Sequence, residues 1–161
     1  MQIISPTRRF EYVLEADRDS AKKTRFVLRR LSWEEMRAVQ REAPIPAGED
    51  AQRVYQLTAA AREQKRPLLP EEIAQLLREA PEWDAISDRV LDFHARLARL
   101  GLEKITGLLD EKGKPTKMAP EEFIRWSPPD IVHELGAEIL RLSTLTEDDL
   151  KNLRAPPEPG A

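Results

Sequence analysis

The chain has no cysteine, a single asparagine and few aromatic side chains among its 161 residues. The lack of cysteine excludes disulfide bonds, thiolate nucleophiles and cysteine-ligated zinc. No run approaches the roughly 20 apolar residues with which a helix crosses a bilayer, and residues 1–6 lack the basic and apolar regions of a signal peptide. We therefore expect a cytoplasmic protein without membrane contact. The scarcity of asparagine beside 13 prolines would suit a thermophilic host.

Charge is distributed unevenly along the chain. Residues 1–31 carry eight Lys and Arg against four Asp and Glu, whereas residues 118–161 carry four against nine. Ends of opposite sign could attract each other within one molecule or between neighbouring copies, and two solvated faces would be the simpler interpretation. The candidate self-association residues are Arg25, Arg29, Arg30, Asp148 and Asp149.

Two short segments near the N-terminus alternate between apolar and polar residues. Residues 10–15 place Phe10, Tyr12 and Leu14 on one face, and residues 24–30 repeat the pattern. Such alternation predicts two half-buried strands, which form an antiparallel hairpin over residues 8–31. The segment 102–118, with a turn around Gly113, favours a second small hairpin that pairs with the first.

Several local signals predict where helices begin. Ser32 followed by Glu35 fits a capping box, Asp50 is placed to cap the next helix, and Pro70 suits the first turn of a third. The second of these helices is polar, so we expect it at the surface. The predicted helices cover residues 33–42, 51–66, 70–77, 83–100, 120–126 and 128–142, with a further turn at 146–149.

Two further signals concern the longest helices. Gly101 would end the helix 83–100 in a left-handed Schellman cap, with Leu102 packing back on Leu97. Ser127 would cap the last long helix, with Pro128 at its first position. The sequence therefore predicts an α+β fold, mostly α-helical, as a single domain over residues 1–154, a helical body at 32–154 and a disordered tail at 155–161.

Two of the predicted helices carry regular apolar rows. Residues recur three or four positions apart, which is the spacing of one face of a helix. Such rows pack in a core or accept a helix from another protein. The candidate partner-binding residues are Trp83, Ile86, Val90, Phe93, Ile131, Leu135, Ile139 and Leu142.

Residues suited to catalysis are sparse. His94 and His133 are the only histidines, and neither stands in the paired spacing of a zinc helix. The scattered glycines form no phosphate-binding loop, and no serine stands in a nucleophile elbow. We predict a protein that is not an enzyme and that has no cofactor or metal.

Three parts of the sequence resemble a known group of proteins. The first is the opening strand at 10–14 with Thr24-Arg-Phe-Val-Leu-Arg-Arg-Leu-Ser-Trp-Glu-Glu. The second is Gly107-Leu-Leu-Asp-Glu-Lys-Gly113-Lys-Pro with Glu121-Glu-Phe, and the third runs from Glu134 to Asn152. Together they resemble the tail assembly chaperones and related tail-morphogenesis proteins of siphophages.

The resemblance implies a function in virus assembly. Such a protein is an oligomeric, non-enzymatic chaperone of the host cytoplasm, which coats the tape-measure protein and recruits tail-tube subunits. One alternative is a head–tail connector or tail completion protein that stays in the virion. Another is a nucleic-acid-binding regulator that uses the basic hairpin, although the acidic residues interleaved there disfavour binding to nucleic acid.

Overall fold

The computed structural model describes residues 4–146 and 149. Asp148 and the predicted disordered tail at 155–161 therefore lie outside the described residues. Within the described part, six α-helices and one three-stranded antiparallel sheet form a mostly helical α+β fold, which confirms the predicted class. No helix in residues 4–146 is both long and apolar enough to cross a membrane.

The sheet combines the N-terminal hairpin with a strand from the second half of the chain. Strands β1 (Arg9–Tyr12), β2 (Arg25–Arg29) and β3 (Leu102–Thr106) lie in the order β1-β2-β3. The hairpin is confirmed, and so is its pairing with the later segment. The second hairpin is much reduced, because its return limb makes only one bridge, from Leu109 to Pro115. Proline has no N–H with which to extend a ladder.

Helix α1 (Trp33–Glu42) begins as the sequence predicts. The Glu35 N–H donates to the Ser32 hydroxyl over 3.1 Å, and the Ser32 N–H donates to the Glu35 carboxylate over 2.8 Å. These two bonds form the predicted capping box, which satisfies donors that the helix itself cannot pair.

The predictions for helices α2 (Glu49–Glu63) and α3 (Pro70–Glu79) are correct except for one cap. Pro70 occupies the first turn of α3, as expected. Asp50 does not cap α2; the cap is Gly48, whose φ of 96° suits a residue without Cβ. Helix α2 lies mainly at the surface, as expected, and three of its residues face its neighbours. They are Ala51, Val54 and Ala61.

Helix α4 (Trp83–Gly101) corrects the prediction for its C-terminus. Gly101 is the last helical residue and has no left-handed φ, and Leu102 is extended and leads directly into β3. The predicted Schellman cap is therefore wrong. Close packing explains the glycine instead, since a Cβ there would lie 2.7 Å from side-chain atoms of Ile139.

Helices α5 (Pro120–Trp126) and α6 (Pro129–Thr144) are separated by only two residues. Ser127 does not cap α6, because Pro128 takes that position and Pro129 begins the helix. The Ser127 hydroxyl donates back to the Phe123 carbonyl over 2.6 Å and so closes the end of α5. The consecutive prolines move the start of α6 by one residue relative to the prediction.

Buried side chains form two groups that share α4. The main core lies between the sheet and helices α1, α4, α5 and α6, whereas the second cluster lies between α2, α3 and the start of α4. The main core consists of Leu14, Phe26, Leu28, Leu31, Val39, Phe93, Leu97, Ala98, Leu102, Ile124, Val132, Leu135, Ile139 and Leu142. The second cluster consists of Ala51, Val54, Leu76, Ala80 and Ile86.

Candidate apolar binding groove

The predicted partner-binding rows are largely packed inside the protein. Four of their residues belong to the main core and one to the second cluster, and these present almost no surface. They are Phe93, Leu135, Ile139 and Leu142 in the former and Ile86 in the latter. Trp83, Val90 and Ile131 are partly exposed. In this structure the rows of α4 and α6 therefore contribute mainly to the stability of the fold.

Two of the predicted self-association arginines form ion pairs within the chain. Arg25 pairs with Glu11 across β1 and β2. Arg29 pairs with Glu35 at 2.8 Å and lies 3.8 Å from Glu103. This arrangement raises the pKa of Arg29 and lowers that of Glu35, in each case chiefly through the hydrogen bond between them. These two arginines of the hairpin are thus neutralised by carboxylates of the same chain.

The side chain of Arg30 binds backbone carbonyls at the C-terminal end of α6. Its guanidinium donates to the carbonyls of Leu142, at 2.7 Å, and Leu145, at 2.9 Å. Cations stabilise the C-terminus of a helix, where carbonyls lack partners within the helix. Asp149 accepts hydrogen bonds from the N–H and hydroxyl of Thr146. Both groups therefore already have partners in their own chain.

Exposed apolar side chains identify two other surfaces. The first is a stripe on α3, formed by Leu69, Ile73 and Leu77. The second lies beside α5, where Trp126 is 74% exposed and Leu109 is 37% exposed. Large apolar side chains that gather on a surface often mark a contact site. The second surface lines a concavity.

That concavity, the apolar groove, has a volume of about 610 Å³. Its apolar lining comes from the loop after β3, from α5 and from the start of α6. These residues are Leu108, Leu109, Met118, Phe123, Trp126, Pro128 and Ile131. Its polar edge is formed by Asp110, Glu111, Lys112, Thr116 and Ser127.

The base of the apolar groove rests on the main core. Phe123 and Ile131 both pack against that core while remaining partly exposed. The ring of Phe123 lies 5.3 Å, centroid to centroid, from the ring of Phe26, which is fully buried in β2. Tilted aromatic pairs at this distance add to the stability gained from burial. The base therefore has a fixed position relative to the sheet.

The wall of the apolar groove is a tight loop rather than a hairpin. The Asp110 carboxylate accepts hydrogen bonds from the backbone N–H groups of Lys112 and Lys114, each over 2.9 Å. The Gly113 N–H donates to the Asp110 carbonyl over 2.9 Å, and its φ of 72° favours glycine. These bonds hold Leu109 beside the groove without any regular ladder.

Gly107 anchors the same loop to the hairpin. Its φ is 75°, and a Cβ at this position would lie 2.7 Å from the carbonyl oxygen of Lys23. A larger residue would have to push two backbone segments apart. This position therefore requires glycine for both conformation and space.

Trp126 is presented by the junction between α5 and α6. It is the last residue of α5, and the hydrogen bond from Ser127 and the ring of Pro128 fix the backbone that follows. An exposed tryptophan on a constrained backbone loses little conformational freedom on binding. For this reason tryptophan often dominates the affinity of an interface.

The apolar groove is suited to holding apolar side chains from another molecule. Its volume lies within the roughly 300–1,000 Å³ typical of binding pockets, which are mostly apolar with a few polar groups. Met118 adds a flexible thioether that adapts to different shapes. Charged side chains of both signs lie only along the polar edge. The arrangement favours an apolar ligand or an amphipathic helix over a highly charged one.

Of the groove residues, Ile131 alone was among the predicted contact residues. Two signals pointed to other groove residues. Leu108 and Leu109 are adjacent, and neighbouring side chains on extended backbone face opposite ways, so both cannot enter one core. Trp126 lies at the end of a helix bounded by proline, where few neighbours are available to cover it. Neither signal is periodic, so a search for helical rows misses them.

Among residues 4–146 and 149, no group of three or more His, Cys, Asp or Glu side chains is arranged to hold a metal ion. The sequence matches no family model, and comparisons with curated proteins and with solved structures found no match.

Proposed function

We propose that this protein is a tail assembly chaperone of the siphophage type, which acts by binding and not by catalysis. In this proposal it oligomerises, coats the tape-measure protein and recruits tail-tube subunits. The resemblance of the sequence to that group supports the partners. The apolar groove supports the mode of action, since it offers surface to an apolar helix without offering reactive groups.

The physical problem for such a chaperone is the exposed apolar face of a long helical protein. Tape-measure helices with bare apolar rows would aggregate, and a groove that covers a few of their side chains prevents this. A groove of this size would bind each short segment weakly. Many copies along one chain then raise the total affinity through effective concentration.

One observation supports the proposal most strongly. The exposed side chain of Trp126 lies beside an apolar base whose position in the fold is fixed. Most residues in the rows of α4 and α6 are buried in the fold, so a helix could reach those residues only after the fold opened. The apolar groove is available without that cost. We therefore place the contact with the tape-measure helix at α5 and the loop before it.

Co-expression with the tape-measure protein from the same genome tests this proposal. The wild-type chain should keep the tape-measure protein soluble, and Trp126→Ala should remove most of that effect. Trp33→Ala provides a matched control, because Trp33 is 65% exposed and lies on α1, outside the groove. Both variants should fold with nearly unchanged stability, since surface substitutions usually shift it by less than about 0.5 kcal/mol.

The outcomes separate the proposal from its rivals. If Trp33→Ala and Trp126→Ala lower the solubility of the tape-measure protein equally, the groove is not the contact. If the wild-type chain never solubilises that protein, the chaperone function itself is wrong. Mass spectrometry of purified virions then tests the connector alternative, because a chaperone leaves before the tail is complete and a connector stays.

A further inference from the structure

The interface between α4 and α6 contains the two histidines of the chain in direct proximity. The ring of His94 on α4 lies 4.9 Å, centroid to centroid, from the ring of His133 on α6, at an interplanar angle of 63°. Both side chains are partly buried. Two groups that become cations in mild acid therefore share one helix interface.

The backbone geometry keeps the two helices close at this point. A Cβ at Gly136 of α6 would lie 2.6 Å from the carbonyl oxygen of His94 and 2.7 Å from its Cβ. One ring nitrogen of His94, Nδ1, lies 2.8 Å from the Val90 carbonyl and donates to it. The imidazole is therefore held in place, and α4 and α6 have little room to adjust around a new charge.

Few charged groups stabilise the protonated forms of His94 and His133. On α6, Asp130 is the only carboxylate that raises the pKa of His133, and no charged group shifts the pKa of His94. Some carboxylates on the helices that pack together here have partners of their own. Arg96 of α4 pairs with Glu42 of α1 at 2.7 Å.

Carboxylates on α5 and α6 also have partners within the chain. On α5, Arg125 lies 4.0 Å from Glu121. On α6, Glu134 accepts hydrogen bonds from the Tyr12 hydroxyl and the Glu15 N–H, each over 2.7 Å. A proton added to the histidine pair would therefore remain largely uncompensated.

We propose that His94 and His133 form a proton-sensitive contact, which keeps α4 and α6 together while both rings are neutral and weakens their packing in mild acid. The contact joins two helices whose apolar rows face the core, so its loss would loosen the centre of the fold. This inference is independent of the proposed function, because it concerns the folding equilibrium alone.

The direction of the pH effect follows from burial. Burial is the main cause that lowers the pKa of both histidines, and for His133 the neighbouring His94 lowers it further. The unfolded chain therefore binds protons more readily than the folded one near the ordinary histidine pKa. Stability is complete above that pKa and falls as the pH decreases through it towards the lower pKa of the folded state.

Urea unfolding at about pH 7.5 and about pH 5.5 tests the proposal, because histidine is the side chain whose ordinary pKa lies in this window. The wild-type unfolding constant should rise on acidification, by at most about tenfold for each histidine, since about pH 5.5 lies roughly one unit below the ordinary histidine pKa. The double variant His94→Gln/His133→Gln should lose most of this rise. An equal rise in the wild type and the double variant would overturn the proposal.

A direct titration covers the case in which the double variant fails to fold. The two imidazole signals of the wild type, followed by NMR, should titrate below the ordinary histidine pKa. In His94→Gln the midpoint of His133 should move upward, because one neighbouring charge has been removed. Ordinary midpoints in the wild type, or a His133 midpoint that does not change in His94→Gln, would contradict the proposal.

Discussion

The main core and the second cluster differ in how their residues are drawn from the sequence. The main core joins the hairpin to α6, and most of its members are Leu, Ile, Val or Phe. The second cluster joins only residues 51–86 and includes two alanines among its five buried members. Small side chains bury less apolar area, and the hydrophobic free energy follows that area. We therefore expect the second cluster to be the less stable part of the fold.

The two groups also leave different surfaces exposed. Beside the main core lies the apolar groove, whose base packs on the buried ring of Phe26. Beside the second cluster lies the stripe of α3. It is formed by the cap residue Leu69 and by Ile73 and Leu77 of this ten-residue helix. A binding surface performs best when the elements beneath it are rigid. The comparison therefore favours the groove as the contact site, and it can be tested by weakening each group separately.

The largest expected effect comes from truncating one fully buried leucine in each group. Leu135→Ala in the main core should lower the free energy of unfolding by about 3–5 kcal/mol, and Leu76→Ala in the second cluster by about 2–3 kcal/mol. Both side chains are 0% exposed, so the two variants form a matched pair. Urea unfolding monitored by circular dichroism measures the difference.

Hydrogen exchange of the Leu135→Ala and Leu76→Ala variants shows which parts of the fold each substitution loosens. Leu76→Ala should accelerate exchange mainly in α2 and α3, whereas Leu135→Ala should accelerate it throughout the sheet, α4 and α6. If Leu76→Ala proved as costly as Leu135→Ala and exposed the whole fold, the contrast between the two groups would be wrong.

A smaller effect is expected at the glycines where helices approach closely. Gly136→Ala should lower the free energy of unfolding by about 1–3 kcal/mol, since its Cβ would meet the backbone of His94. Gly101→Ala should cost less, because its Cβ would meet the side chain of Ile139, which has more freedom to move than backbone. Thermal unfolding of both variants provides the comparison.

The control for Gly136→Ala is a substitution at an exposed position of the same helix, α6. Ala137→Gly on α6 should lower the free energy of unfolding by about 1 kcal/mol through conformational freedom alone. If instead Gly136→Ala raised stability, as helix propensity alone would predict, the close approach of α4 and α6 would be refuted.

The smallest effect concerns the charge at the start of α1. Glu35→Gln keeps a side chain that can accept from the Ser32 N–H but removes the charge that pairs with Arg29. It should lower the free energy of unfolding by about 1 kcal/mol near neutral pH. The hydrogen bond from Arg29 is the main cause that lowers the pKa of Glu35. Its contribution is therefore present above the ordinary carboxyl pKa and is lost as the pH falls towards the lower folded value.

Urea unfolding at two pH values checks the sign. The gap between wild type and Glu35→Gln should be largest near about pH 7 and should narrow below about pH 4. Glu34→Gln is the control, because Glu34 is also a first-turn carboxylate of α1 but does not pair with Arg29. A gap that widened in acid would contradict this assignment of the ion pair.

Several features governed by neighbouring residues were predicted correctly from the sequence, although the local caps expected at Asp50 and Ser127 were not found. The hairpin follows from alternation over a few residues, and the start of α1 follows from Ser32 and Glu35. Pro70 likewise marks the first turn of α3. In each case the residues that decide the structure lie within one turn or one strand of each other, so the pattern contains the whole cause.

Apart from the pairing of the hairpin with β3, features governed by contacts distant in sequence were predicted poorly. Gly101 matches the pattern of a helix cap, yet its size is required by Ile139 on another helix. The rows of α4 and α6 could have been exposed or buried, and spacing alone does not distinguish these cases. The apolar groove combines a loop and the ends of two helices, so no single periodic segment contains it.

Hydrogen exchange can map the location of the proposed binding surface directly. The measurement compares the free chain with its complex with a helix-forming fragment of the tape-measure protein. We predict new protection over residues 108–131, which contain the loop, α5 and the start of α6, and little change in α3. Protection centred on residues 69–77, with none at 108–131, would contradict the assignment.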